Sequence, residues 1–454
     1  MQGFIGRGAE LSRLERIWED DGNRAVAVYG RRRIGKSTLL RRFCQGKRSI
    51  YIECVIGSVS DNIHVIHGAV SALEGIGSED PPFLKDAFDE VLDSCRREKT
   101  AVVFDEVPYM LESGQQVGSS MQHLVDAIIR ETDSVIIICG SSMSVMNRET
   151  TKYNKPLYGR FSERIRIGPL SYSQCRSFHP TMGDMDFMRL YLTLGGIPKF
   201  HLDGTTDTYR GYIEMHFLSE DADMADEGEV LITAEFSPVG RYMAVINAIS
   251  DGSTSLKTIS EKAGMQRTMC SRCIEDLQSV GIIGEEVPMM DAPKRSVYRI
   301  LDPLTAFCQG IVRESKRYTL RDPSDVYDML SSRIDTFLGT RFEDLCSGYV
   351  MENYDCIGCG KWWGVDSEKV THEVDIVAVV KDGASSYGLF GECKFRKRPM
   401  PLSVYRELQE DVSLIRTDLT RRYILFSISG FTDELEEVAG DEGVVLVGPG
   451  ELMG

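Results

Sequence analysis

The chain has 454 residues, 42% hydrophobic and 27% charged; that balance excludes a disordered or collagen-like chain, and at about 150 residues per domain it predicts about three domains. Lys and Arg number 52 against 69 Asp and Glu, a formal net charge of −17, so indiscriminate coating of nucleic acid is excluded and any DNA contact must come from a local basic patch. No apolar run approaches the roughly 18 residues of a membrane span, and the first residues lack the basic-then-apolar pattern of a secretory leader. The 12 cysteines are scattered, which reads as reduced, buried thiols rather than a disulfide framework. A cytoplasmic protein with no membrane partner is expected.

Residues 1–168 alternate short apolar runs (25–29, 49–55, 101–104, 134–139 and 164–167) with helical patterns. Strands spaced by helices predict a parallel sheet covered on both faces, an α/β domain. The first strand runs into Gly30-Arg31-Arg32-Arg33-Ile34-Gly35-Lys36-Ser37, followed by Thr38 and a helical run. This is GxxxxGK[ST] in a strand–loop–helix setting. Its glycines let backbone N–H groups curl around phosphate at a helix N-terminus. Lys36 is expected on the β- and γ-phosphates of ATP and the Ser37 hydroxyl on Mg2+.

The third strand ends in Asp105-Glu106. An acid at the carboxyl end of a buried strand is where a Mg2+-holding residue belongs in an open α/β sheet, so Asp105 is expected on the metal and Glu106 on the attacking water. The fourth strand ends in Gly140-Ser141-Ser142, where Ser141 either senses the γ-phosphate or belongs to a plain Ser-rich turn.

Phe4-Ile5-Gly6-Arg7, Glu10-Leu11, the phosphate loop, the Asp105-Glu106 pair and Ser141-Ser142 together resemble an AAA+-related P-loop ATPase, closest to the prokaryotic archaeal-ATPase group of the STAND-like branch. Pro156-Leu157-Tyr158-Gly159-Arg160-Phe161 is similar to that group's arginine-bearing segment, and Leu194-Gly195-Gly196-Ile197-Pro198-Lys199 to its GGxP signature. The resemblance implies ATP hydrolysis, a helical lid over 169–236, and a charge-stabilising arginine, Arg160 or the nearby Arg164. That arginine would act in cis or from a neighbouring subunit of a homo-oligomer.

Residues 237–302 read as three helices and a hairpin, the order of a winged helix-turn-helix. Gln266, Arg267 and Arg272 would enter a major groove and Lys294 and Arg295 of the wing would meet phosphate; the other reading is an interdomain packing module. Cys270/Cys273 and Cys356/Cys359 are CxxC pairs, open to a zinc site or to buried thiols.

Residues 303–454 return to mixed α/β. A helix over 334–350 carries Glu343, a strand over 371–380 carries Asp375, and a strand over 387–394 carries Glu392 and Lys394. Two residues apart on a strand, Glu392 and Lys394 share a face. Two carboxylates hold a hard divalent cation, Glu343 completes its shell, and Lys394 orients the water or neutralises developing charge. Helix–strand–strand with D…ExK resembles the PD-(D/E)XK restriction-endonuclease-like fold over 335–450, which implies Mg2+-dependent cleavage of DNA. Phe395-Arg396-Lys397-Arg398 would steer DNA to the metal, while Trp362 and Trp363 either stack on bases or pack. The expected protein is an ATP-hydrolysing, DNA-acting enzyme with a nuclease tail gated by nucleotide. The alternative is an ATP-controlled switch whose tail only binds DNA or protein.

Overall fold

The computed structural model describes residues 4–20, 24–75, 77, 79–202, 206–290, 296–318, 321–366, 368–383 and 385–453. The chain divides into two compact units: 1–174 with 196–203, and 175–195 with 204–454. The segment expected as a lid is therefore shared between units, and residues 237–302 and the carboxyl-terminal sheet fall within the second. Among the described residues no helix is long and apolar enough to cross a membrane.

In the first unit five strands, β1 (Ala25–Tyr29), β2 (Ser49–Glu53), β3 (Ala101–Asp105), β4 (Val135–Gly140) and β5 (Glu163–Arg166), form a sheet in the order β2-β3-β4-β1-β5, with every pair parallel. β3 and β4 are buried along their whole length, as a sheet covered on both faces demands. Ile52, Val102, Phe104, Ile136 and Ile138 pack with Phe88, Leu124 and Ile128 of the flanking helices. The order matters for function. Because β4 lies between β1 and β3, its carboxyl end stands between the loop after β1 and the acids after β3.

In the second unit the helices Val239–Ser250, Leu256–Lys262 and Arg267–Ser279 precede β6 (Ile283–Glu286), which pairs antiparallel with β7 (Val297–Ile300). These are the three helices and two strands expected from the sequence. Gln266 and Arg267 at the start of the third helix and Arg272 near its middle are exposed. Lys294 and Arg295 lie outside the described residues. Cys270 and Cys273 are buried in the helical core, in keeping with the buried-thiol reading of the first CxxC pair.

The carboxyl-terminal sheet has the order β12-β11-β10-β9-β8. Its strands are β8 (Cys356–Val365), β9 (Thr371–Asp382), β10 (Ser385–Lys394), β11 (Thr420–Ser427) and β12 (Val445–Val447). β8, β9 and β10 form an antiparallel meander, and β10, β11 and β12 run parallel. Trp362, Val377, Phe390, Leu408, Val412, Leu425 and Leu435 share one core, so Trp362 is a packing residue. The helix expected to start at 334 is longer than its apolar pattern indicated, running Pro323–Asn353. Pro323 at its first position and the Asp322 carboxylate accepting from the Ser324 N–H start it a full three turns earlier. Its carboxyl-terminal part packs on β8, β9 and β10, with Phe342 against Phe395 and Tyr349 against Phe426.

Candidate functional site

The loop between β1 and the helix Lys36–Cys44 has left-handed backbone at Arg33 (φ 65°) and Gly35 (φ 91°). Such alternation gathers successive N–H groups into an anion-binding nest. The helix that follows has no side-chain cap, the kind of start at which backbone N–H groups can receive an anion. Lys36 is buried, and its Nζ donates to the Arg31 carbonyl at 3.0 Å, spanning the loop it belongs to. Ser37 is half-buried and Thr38 exposed at the helix start, while Ile34 anchors the loop in the core.

The three arginines differ. Arg32 donates to the Tyr109 hydroxyl, and the Arg33 guanidinium lies 5.9 Å from the Phe200 ring centre. Arg31 contributes the carbonyl that accepts from Lys36. Arg7, near the chain start, is buried and donates to the Ile34 carbonyl at 3.0 Å and to Glu10 at 3.2 Å. It braces the loop from outside the motif, a role sequence reading did not assign. Its signal was there: an arginine in an apolar setting ahead of the first strand.

The GGxP segment explains itself by close approach. The Leu170 N–H donates to the Gly196 carbonyl at 2.7 Å, and a Cβ on Gly196 would lie 1.9 Å from the Leu170 carbonyl oxygen. No other residue fits there. The turn so fixed brings Pro198 Cγ to 3.9 Å from where a Cβ on Gly35 would be, so Pro198 backs the phosphate loop.

Asp105 and Glu106 stand at the end of β3. Asp105 is buried and accepts from the Tyr51 hydroxyl at 2.7 Å, while its other oxygen accepts the Glu106 N–H at 3.0 Å. Burial pushes the Tyr51 phenol far above its usual range, so it stays a donor. Glu106 has left-handed backbone (φ 51°), a conformation that costs a non-glycine residue about 1 kcal/mol and clusters at functional sites. It accepts from both the Ser141 N–H (2.9 Å) and hydroxyl (2.8 Å). Ser141, at the tip of β4, therefore grips the acid expected to handle water. Arg160 forks onto Asp126 of the helix Val117–Glu131, at 2.9 and 3.2 Å. Arg164 donates to Asn147 and lies over the Tyr29 ring.

The second cluster lies where the β9–β10 ladder stops, beyond its last pair Gly391 and Ile376. There Asp375 replaces the missing backbone acceptor and takes the Cys393 N–H at 3.0 Å. Gly391 must be glycine: a Cβ would meet the Ile424 carbonyl oxygen at 2.8 Å and Ile376 at 3.1 Å. Glu392 is bonded to Lys394. Glu343, from the long helix, is bonded to Lys361 of β8, which also reaches Glu373 at 3.4 Å. Lys361 occupies a register shift between Gly360 and Trp362; such bulges re-aim side chains and defeat alternation arguments, which is why sequence reading missed it.

Burial first, and the Asp375 charge second, push Glu343 and Glu392 up to about 7. Asp375 is raised as well, by burial. Lys361 and Lys394 are raised by the acids they face, against their burial. The three expected metal acids thus share one electrostatic neighbourhood. Among the described residues, however, no three His, Cys, Asp or Glu side chains are gathered tightly enough to hold a metal ion, and Glu343 is bonded to Lys361. The donor chemistry still fits Mg2+, which uses one or two carboxylates together with substrate phosphate oxygens. Arg396, Lys397 and Arg398 are exposed just beyond Lys394.

Residues 4–201 match a model described as an ATPase domain predominantly from Archaea, and residues 307–409 a model of archaea bacterial proteins of unknown function. The chain is 24% identical to an uncharacterized protein of Methanocaldococcus jannaschii, over 96% of this chain and 97% of that one. An uncharacterized ATP-binding protein of the same organism is 40% identical over 45 residues, 10% of this chain and 76% of that one. In fold the chain is similar to the Walker-type ATPase of Pyrococcus abyssi, with TM-score 0.53 and 20% identity, over 67% of this chain and 96% of that one. The amino-terminal region thus matches an ATPase-domain model over residues 4–201, and the chain is similar in fold to a Walker-type ATPase.

Proposed function

We propose that the protein hydrolyses ATP and acts on DNA, with a Mg2+-dependent nuclease in its carboxyl-terminal sheet. ATP would lie with its β- and γ-phosphates against the Gly30–Ser37 loop, Lys36 neutralising their charge, the backbone nest holding the rest. Mg2+ held by Ser37 and Asp105 would supply further neutralisation of the phosphates. Glu106, oriented by the two Ser141 hydrogen bonds, takes the proton of the attacking water. Tyr51 keeps Asp105 fixed by donating to it.

In the tail, Mg2+ held by Asp375 and Glu392 would polarise the scissile phosphodiester and acidify water. Lys394, two residues along the same strand, neutralises charge as it builds on the phosphate. Arg396, Lys397 and Arg398 draw the duplex backbone toward that pocket, and Gln266, Arg267 and Arg272 of a winged helix give a second contact. The observations that support this reading are that Asp375 accepts from the N–H of Cys393, the residue between Glu392 and Lys394, and that Glu392 and Lys394 are bonded to each other.

The test is cleavage of plasmid and labelled duplex by the full chain with Mg2+ or Mn2+, with and without ATP, against D375N. Metal-dependent cleavage lost in D375N supports the reading. A second reading, a nucleotide-controlled switch with a binding-only tail, is favoured by the net charge of −17. Under that reading DNA or protein binding survives without any cleavage.

A further inference from the structure

The tail pocket holds more charge than the D…ExK motif accounts for. Four carboxylates (Glu343, Glu373, Asp375 and Glu392) face two ammonium groups (Lys361 and Lys394). With these six groups ionised the surplus among them is four minus two, a charge of −2, which one divalent cation would balance. Lys361 is the member with two places to go. It is bonded to Glu343, whose side chain is 22% exposed, and lies 3.4 Å from Glu373, whose side chain is 55% exposed. An ammonium beside Glu343 does the electrostatic work a metal would do there, and repels one arriving next to it.

We propose that Lys361 is a cation latch. In the metal-free protein it neutralises Glu343. When a divalent cation binds Asp375 and Glu392, Lys361 swings onto Glu373 and releases Glu343 to join the metal's ligands. Lys361 is thus a positioning residue acting through Glu343, and Glu373 is its resting place in the loaded state. The inference rests on the metal reading above.

The test is Mn2+ binding to the full chain without nucleotide, followed by calorimetry and by the electron paramagnetic resonance of free Mn2+. The D375N/E392Q double variant serves as the blank. Lys361→Met removes the competing charge and is expected to bind Mn2+ about tenfold tighter than the unmodified protein. Its melting temperature without metal falls, because Glu343 loses its partner, and its rise on adding Mn2+ is larger. Glu373→Gln, on the exposed side, keeps the fold but removes the resting place, and is expected to bind about threefold more weakly. Binding seen only in K361M would also support the latch. If K361M and E373Q both bind as the unmodified protein does, the latch is wrong while the metal reading stands. If neither the unmodified protein nor K361M binds above the blank, the metal reading fails and takes the latch with it.

Discussion

The two candidate sites of this chain are built from opposite materials. The amino-terminal cradle is made of backbone: turned N–H groups around Arg33 and Gly35, an uncapped helix start, one lysine tied to its own loop. Its acids are held by neutral donors, Tyr51 on Asp105 and Ser141 on Glu106. The carboxyl-terminal pocket is made of side-chain charges that hold one another, Lys361 with Glu343 and Lys394 with Glu392. A backbone cradle is ready before its ligand arrives and needs no charge to move. A pocket of mutually neutralising ions would have to be rearranged by any ligand it takes, and its state depends on pH.

That contrast can be broken, and the largest effect should come from the cradle. Lys36→Ala is expected to cut ATP turnover about 10³-fold, since it removes the charge aimed at the transferred phosphoryl group; a phosphate-release assay measures this, and unchanged turnover would reject the site. Asp375→Asn should lower metal-dependent DNA cleavage about 10²-fold and leave ATP turnover as it was. If both activities fall together, the two sites are not separable. Ser141→Ala deletes one of two hydrogen bonds to a carboxylate. It should lower kcat for ATP about tenfold with KM little changed.

The tail pocket should also show itself in pH. Glu343 and Glu392 stand at about 7, against an ordinary value of 4.5. Between those values the folded protein keeps protons that the unfolded chain has lost, so the pocket favours folding most below pH 4.5. That contribution is lost as pH rises through 7. Metal-free thermal melts should follow this slope, and E343Q/E392Q should flatten it. Cleavage should rise through the same window, as the acids become able to hold a cation. The smallest effect is expected at Arg160 and Asp126, whose fork is partly exposed: R160A and D126A should each cost under about 1 kcal/mol in denaturant melts. A loss of turnover in R160A much beyond that in D126A would show that the guanidinium leaves Asp126 for phosphate.

The phosphate loop was legible because its parts are consecutive: eight residues between a strand and a helix define the nest, wherever the rest of the chain goes. The alternating strands and helices around it were legible for the same local reason. The tail pocket was legible only in part. Asp375, Glu392 and Lys394 stood out by motif, but Lys361 did not, since a bulge in β8 aims it and no spacing rule marks a bulge. The long helix was read short because its apolar stripe weakens before its capping signals at Asp322 and Pro323 are reached.

The sequence by itself determined the loop after β1 and the class of the first sheet, and it singled out Asp375, Glu392 and Lys394 as candidates, because each follows from short-range periodicity or a contiguous backbone turn. Only the tertiary structure decided which groups hold those residues. Arg7 on Ile34, Ser141 on Glu106, Pro198 behind Gly35 and Lys361 on Glu343 are meetings across long stretches of chain. Strand order and helix packing set such meetings, and no local pattern of residues encodes them.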